Sequence, residues 1–241
     1  MHSSSRVIAK QLITGEVYHI YNRGVEKRDI FMDDRDYIRF IHDLYEFNNT
    51  AAAKQYSRTS GHHVGSSTSN MMGLPGGGER ERFVDILCWC LMPNHFHLMV
   101  RQRLENGISQ FMQKIGTGYT HAFNARYNRS GVLFQGKFKW KHVSNNAQFL
   151  HLPFYIHANP IDLIEYGWRD TGVADLKGIM RFLESYRWSS FRDYIGVKNF
   201  SSLLDDQKII WGGKTSPEYR TSVQEWLATR DFSSMTDISI D

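Results

Sequence analysis

Two short clusters of residues are of the types and spacings that do chemistry. The first is His95-Phe96-His97. On a strand, side chains two apart project to the same side about 6.6 Å from each other, so both imidazoles reach one divalent ion while Phe96 faces the core. The chain has 11 histidines, so the bare pattern also arises by chance. The competing reading is a pair of polar rings meeting solvent on a half-exposed strand. The second cluster is Tyr155-Ile156-His157-Ala158-Asn159-Pro160. On a helix, positions i and i+4 share a face, so the Tyr155 phenol and the Asn159 amide project together. Taken alone, these two are also what a packed core tyrosine and a helix-ending asparagine look like.

Together the clusters supply what exchange at a phosphodiester needs: a nucleophile, a Lewis acid on a non-bridging oxygen, and groups that grip the chain on either side. Two imidazole nitrogens from His95 and His97 and the amide oxygen of Asn159 suit Mg²⁺ or Mn²⁺ with positions left for phosphate and water, and nitrogen ligation favours Mn²⁺. All three ligands are neutral, so the ion keeps its full charge for an anionic substrate. A tyrosine with a pKa near 10 is only about a thousandth ionised at pH 7, a deficit of roughly 4 kcal/mol that an adjacent dication largely offsets. Attack by Tyr155 gives a phosphotyrosine that retains a phosphodiester bond, so strand transfer can follow without ATP. A hydrolytic metal enzyme is disfavoured, because the acidic residue such sites use as a general base is missing.

The elements that must position these groups follow from periodicity. EVYHIYNR (16–23) alternates as a strand with Val17, His19, Tyr21 and Arg23 on one side. A helix follows the Asp33-Asp34 start signal, with Tyr37, Ile38, Ile41, Leu44 and Tyr45 as its buried face. Phe83 to Met92 is apolar in both alternating sets and reads as a central strand covered on both faces. Pro93-Asn94 turns the chain into an antiparallel partner, HFHLMVRQR, whose odd positions carry His95, His97, Met99, Arg101 and Arg103. An amphipathic helix is expected over 105–127, diluted by Gly116 and Gly118. GVLFQGKFKWKHV (131–143) reads as a ribbon with Lys137, Lys139 and Lys141 on one face and Phe138, Trp140 and His142 on the other. A helix over 146–159 ends at Pro160, and Pro153 within it removes an amide donor two residues before Tyr155. LKGIMRFLESYR and SPEYRTSVQEWLATR read as later helices. The expected fold class is α+β: an antiparallel sheet with packed helices.

Length and charge bound the rest. At about 150 residues per domain, 241 residues make one large domain or two small ones. The apolar run Ile86 to Met92 is far short of the ~18 residues a membrane span needs, so no membrane partner and a cytoplasmic location are expected. Cys88 and Cys90 have neither redox nor zinc spacing and read as reduced strand residues. The net charge is only +4, but 95–143 holds eight basic residues against Glu105, a local balance of +7. A segment this cationic points to a polyanion, nucleic acid first, with a solvated basic face as the alternative. Residues 50–80, rich in Gly and Ser, read as a flexible insertion, and their His62-His63 pair as solvated.

LCWCLMPNHFHLMV resembles the HUH motif of single-tyrosine transposases, in which two histidines flank a bulky apolar residue. YHIYNRG, GVLFQGKFKW and YIHANPIDL resemble that family's first strand, hairpin and tyrosine helix, and ESYRWSSFRDYIG is similar to a segment of the REP-associated branch. The resemblance spans about 16–196. It implies a ferredoxin-like antiparallel sheet (the HUH endonuclease fold) over 1–195 with a helical C-terminal extension over 196–241. It also implies metal-dependent nicking and rejoining of single-stranded DNA at hairpins formed by imperfect palindromes, through a 5′-phosphotyrosine. Carried over, His95 and His97 are metal ligands, Tyr155 is the nucleophile and Asn159, a position that is Gln in some relatives, is the third ligand of Mg²⁺ or Mn²⁺.

A DNA surface follows from the residues themselves. Arg101 and Arg103 continue the histidine face, Lys137, Lys139 and Lys141 form a basic ribbon, and His19 and Arg23 share a strand face at the cleft. Phe138 and Trp140 either stack unpaired bases or pack in the core. Whether Tyr155 completes its own subunit's site or a partner's is open, so monomer and homodimer both stand. A reading from another class is a non-catalytic hairpin-binding protein on the same scaffold, with Tyr155 displaced by Pro153.

Overall fold

The computed structural model describes residues 11–51, 80–205 and 216–229. The 50–80 stretch apart from its ends, and with it His62-His63, lies outside the described residues, as do 206–215 and 230–241.

Strand β1 (Val17–Arg23) leads to helix α1 (Asp34–Glu46), then the hairpin β2 (Val84–Met92) and β3 (His95–Gln102), helix α2 (Gly107–Arg126) and strand β4 (Lys139–His142). The sheet order is β2-β3-β1-β4, and every neighbouring pair is antiparallel. A β-α-β-β-α-β chain with this order has ferredoxin-like topology, so the fold is α+β as expected. Local chemistry starts the elements where the sequence says it should. The Asp33 carboxylate caps α1 by accepting from the amides of Arg35 and Asp36. It also binds Arg126 at the end of α2, which ties the two helices together.

Helices α1 and α2 cover one face of the sheet. There Tyr18, Ile20, Trp89, Phe96, Leu98 and Val100 pack with Phe40, Leu44, Phe111 and Ile115. The other face carries Val17, Cys88, Cys90, Met92 and Met99. It is covered by α3 (Asn146–Ala158), the 3-10 turn Asn159–Leu163, the short helix α4 (Trp168–Thr171), α5 (Leu176–Ser185), the short helix α6 (Phe191–Tyr194) and α7 (Ser216–Thr229). Tyr219, Val223, Trp226 and Leu227 place α7 in the same core as α3.

Three expectations change on contact with the structure. Strand β2 is buried at every position, yet it is an edge strand and not a central one. Its outer edge is covered by irregular chain: Leu91 N donates to Trp188 O, Ser190 N to Trp89 O and Asp205 N to Ile86 O. Second, simple alternation fails within β2, because a bulge between Ile86 and Cys88 puts Leu87 and Cys88 on the same face. Third, the ribbon expected over 131–143 is a strand only over Lys139–His142. Gly131 and Gly136 adopt positive φ, and the preceding loop is held by a bridge between Gly24 and Phe134.

Candidate active site

The antiparallel register of β1 and β3 sets the histidines. Arg23 lies directly opposite His95, and Tyr21 opposite His97, so these four side chains share the face under α3. The His95 and His97 rings meet edge to face with centroids 4.9 Å apart. Asn94 fixes the His95 tautomer. Its Nδ2 donates to the Lys27 carbonyl, so its Oδ1 accepts from His95 Nδ1 at 2.6 Å, which leaves the lone pair on His95 Nε2. Burial, then the charges of Arg23 and Arg169, push His95 down to about 3, so the ring is neutral at pH 7. His97 is held well below the usual range chiefly by burial, with His95, His19, Arg169 and Arg23 adding to the effect.

His97 has its Nδ1 2.9 Å from His19 Nε2, while its own Nε2 is buried with no hydrogen-bond partner. An orphaned nitrogen beside a second neutral imidazole with a committed tautomer fits a divalent cation ligated by His95 and His97. A bound cation selects the tautomer in which His97 Nδ1 donates to His19. Among the described residues, no group of three or more His, Cys, Asp or Glu is placed to hold a metal ion.

Helix α3 runs through Pro153 and presents Tyr155 to this pair. The phenol ring sits edge-on to both His97 and His19, each with a centroid distance of 5.8 Å and interplanar angles of 87° and 78°. Tyr155 is 3% exposed. One turn later, buried Asn159 donates its Nδ2 to the Tyr155 carbonyl at 2.8 Å, which leaves its Oδ1 as the acceptor. That oxygen faces Arg169 Nη2 at 3.4 Å.

Sequence reasoning missed Arg169. It follows the 3-10 turn, where no periodicity marks it. Its guanidinium carbon lies 5.5 Å from the centroid of the Tyr155 ring. Its Nη1 donates to both oxygens of Asp162 at 2.7 Å, and Trp168 Nε1 donates to the same carboxylate at 2.8 Å. Also missed was a buried network on the far side of α3. His157 Nδ1 meets the Tyr219 hydroxyl of α7 at 2.6 Å, and Nε2 lies 2.8 Å from Ser190 Oγ and 3.2 Å from Cys88 Sγ. Cys88 and Cys90 are buried and free, and burial pushes both thiols up.

The residues expected to touch DNA do not form one surface. His19 is fully buried beneath His97, so it supports that ring and does not line an open cleft. Arg101, at the other end of β3, and Arg103, just past it, lie about 20 Å and about 27 Å from His95 at ~3.4 Å per residue. Arg103 is ion-paired to Asp85 at 3.0 Å. Lys139 pairs with Tyr21 and Lys141 with His19, so these two share the imidazole face. Lys137 precedes the strand and lines a cleft of about 960 Å³ between α2 and the 131–138 loop, on the opposite side of the sheet. Phe138 and Trp140 pack against the core beneath α1 and α2.

Residues 78–159 match the family described as Transposase IS200 like. The matched segment is 82 of the 241 residues. It contains His95, His97, Tyr155 and Asn159, while Arg169 and the Tyr219 contact of His157 lie beyond it. Among solved structures, the chain is similar to one described as "Structure of the REP associates tyrosine transposase bound to a REP hairpin", with 14% identity and a TM-score of 0.49. That match covers 80% of this chain and 87% of the other. No curated protein matches the sequence. Among the described residues, no helix is long and apolar enough to cross a membrane.

Proposed function

We propose that the chain nicks and rejoins single-stranded DNA beside hairpins, as a transposase of the REP-associated type, with Tyr155 as nucleophile. The observation that carries this reading is the packing of the Tyr155 ring against a neutral, buried imidazole pair that keeps an unpartnered ligating nitrogen. The local charge of 95–143 and the match of residues 78–159 to the IS200-like transposases support a DNA substrate.

His95 and His97, through their Nε2 atoms, would hold Mg²⁺ or Mn²⁺, with the Asn159 oxygen as the third protein ligand after a small shift away from Arg169. When bound, the ion supplies Lewis-acid polarisation of a non-bridging phosphate oxygen and lowers the cost of the phenolate. Tyr155 loses its proton and its oxygen attacks phosphorus. The O–P bond forms as the P–O3′ bond breaks, and the departing oxygen takes a proton to become a 3′-hydroxyl. One phosphodiester replaces another, so a second 3′-hydroxyl attacking the phosphotyrosine reverses the exchange and joins strands without an energy source. Burial of Tyr155 keeps water away from the nucleophile, and an entering strand must displace part of its cover.

The test is incubation of the protein with Mn²⁺ and labelled single-stranded hairpin DNA, read as a denaturant-stable protein–DNA adduct. The wild type is expected to form it and Tyr155→Phe to lose it with hairpin affinity intact. An adduct that survives Tyr155→Phe removes Tyr155 as nucleophile. Tight hairpin binding that ignores chelator, with no adduct in any metal, leaves a binding protein on the same scaffold.

A further inference from the structure

Two guanidinium donors beside the candidate nucleophile are left without partners. Arg23 Nε and Arg169 Nε are both buried from solvent and neither makes a hydrogen bond. They come from different layers of the fold. Arg23 stands across the ladder from His95 on the same face of the sheet, while Arg169, from α4 in the layer that covers that face, lies over the Tyr155 ring, and both charges act on His95. Buried N–H groups in native folds are almost always satisfied, so a pair of orphans at one site points to an acceptor that arrives with the substrate.

The protein has also fixed one of the two in place. Asp162 receives both bonds from Arg169 Nη1 and a third from Trp168, so the fork is held from its Nη1 side and Nε is left over. A surface lysine would not serve equally well here, because a planar guanidinium can bind a carboxylate through one nitrogen and an oxyanion through another.

We infer that Arg23 and Arg169 form a two-arginine clamp on the non-bridging oxygens of the scissile phosphodiester, donating through their Nε groups, one from the sheet and one from the layer that covers it. The inference rests on the reading of Tyr155 as nucleophile and extends it by two catalytic residues, both of them outside the family-matched segment. In phosphoryl transfer the charge builds on these equatorial oxygens as the entering and leaving oxygens pass in line, and preformed donors aimed there act most strongly in a water-poor site.

The experiment compares single-turnover adduct formation by wild type, Arg23→Met, Arg169→Met and Arg169→Lys on two hairpin DNAs. One carries a normal scissile phosphate and the other a methylphosphonate at that linkage, which lacks the non-bridging charge. On the phosphate, each Met variant is expected to lose about 10²- to 10³-fold in rate, with hairpin affinity within a few-fold and Arg169→Lys intermediate. On the methylphosphonate, the deficit relative to wild type is expected to shrink to within about tenfold, which an unfolded or misassembled variant cannot reproduce. Equal deficits on both substrates, or Met variants as fast as wild type on phosphate, overturn the clamp while Tyr155 keeps its role. Wild type that forms no adduct on phosphate in Mg²⁺ or Mn²⁺ overturns the underlying reading and the clamp with it.

Discussion

His97 and His19 face each other across β1 and β3 with Nδ1 and Nε2 2.9 Å apart, both rings fully buried. Neither nitrogen can turn to water, so the pair commits one end of His97 to the protein and leaves the other for a ligand. Supporting contacts of this kind orient a metal-binding imidazole and commonly change metal affinity 10–100-fold when lost. His19→Phe keeps the ring but strands His97 Nδ1. Expected are a loss of about 1–3 kcal/mol in urea unfolding and a 10- to 100-fold weaker Mn²⁺ affinity by calorimetric titration. Unchanged Mn²⁺ affinity would mean that His97 is not a ligand or does not depend on His19.

The burial of His157 between α3 and its neighbours makes stability pH-dependent. Burial pushes His157 down to about 3, whereas the unfolded ring titrates near ~6.5. The unfolded state therefore binds the extra proton between those values. The contribution is complete above about pH 6.5 and is lost as pH falls from there towards about 3, at roughly 1.4 kcal/mol per pH unit. Buried His95 acts in the same direction. In His157→Gln, the slope of unfolding free energy between pH 4 and 6 should fall by about one proton's worth. At pH 7 the variant should also be less stable, because the Tyr219 hydroxyl and Ser190 lose a buried partner. An unchanged slope would show that His157 carries its proton in the fold.

Alternation and spacing made most of this legible. The order of β1, α1, the β2–β3 hairpin, α2 and α3 follows from residues whose neighbours in sequence are their neighbours on an element, whereas the approach of Tyr155 to His97 joins two distant elements and was expected only from the chemistry the two clusters supply together and from the family resemblance. Arg169 was invisible because it reaches Tyr155 from the one-turn helix α4, ten residues past Asn159, which is too short to show a period that links position to direction. His19 was visible as a residue on the right face but not as a buried one, since burial there depends on α3 packing over the strand. The edge position of β2 was hidden for a related reason: residues 188–205 cover it through backbone bonds that any sequence can make.

Helix α2 carries two glycines with opposite surroundings. A Cβ added at Gly116 meets nothing within 4 Å, while one at Gly118 would lie 2.4 Å from Phe47 Cε2 at the end of α1. Gly116→Ala should stabilise by about 0.5–1 kcal/mol through lost unfolded-state freedom. Gly118→Ala should destabilise by about 1–3 kcal/mol as the Phe47 ring is forced aside. Thermal unfolding reads both, and adduct formation by folded protein should be unaffected in either. A stabilised Gly118→Ala would mean that the α1–α2 contact is looser than the packing of Phe47 implies.

The basic residues separate by whether the protein already uses their charge. Lys139 is exposed on the imidazole face, whereas Arg103 is ion-paired at 3.0 Å to an Asp85 carboxylate whose side chain is 4% exposed. A cation matched within the fold displaces fewer counterions from DNA than an unmatched one. Lys139→Ala should therefore weaken hairpin binding and lower the slope of log K against log salt by roughly 0.7–0.9. Arg103→Ala should leave the slope nearly unchanged and show its effect in unfolding, where Asp85 keeps only the longer 3.5 Å pairing with Arg82. Salt titrations of fluorescence anisotropy separate the two. Equal changes in slope would put Arg103 on a phosphate despite Asp85, and would extend the DNA path to the far end of β3.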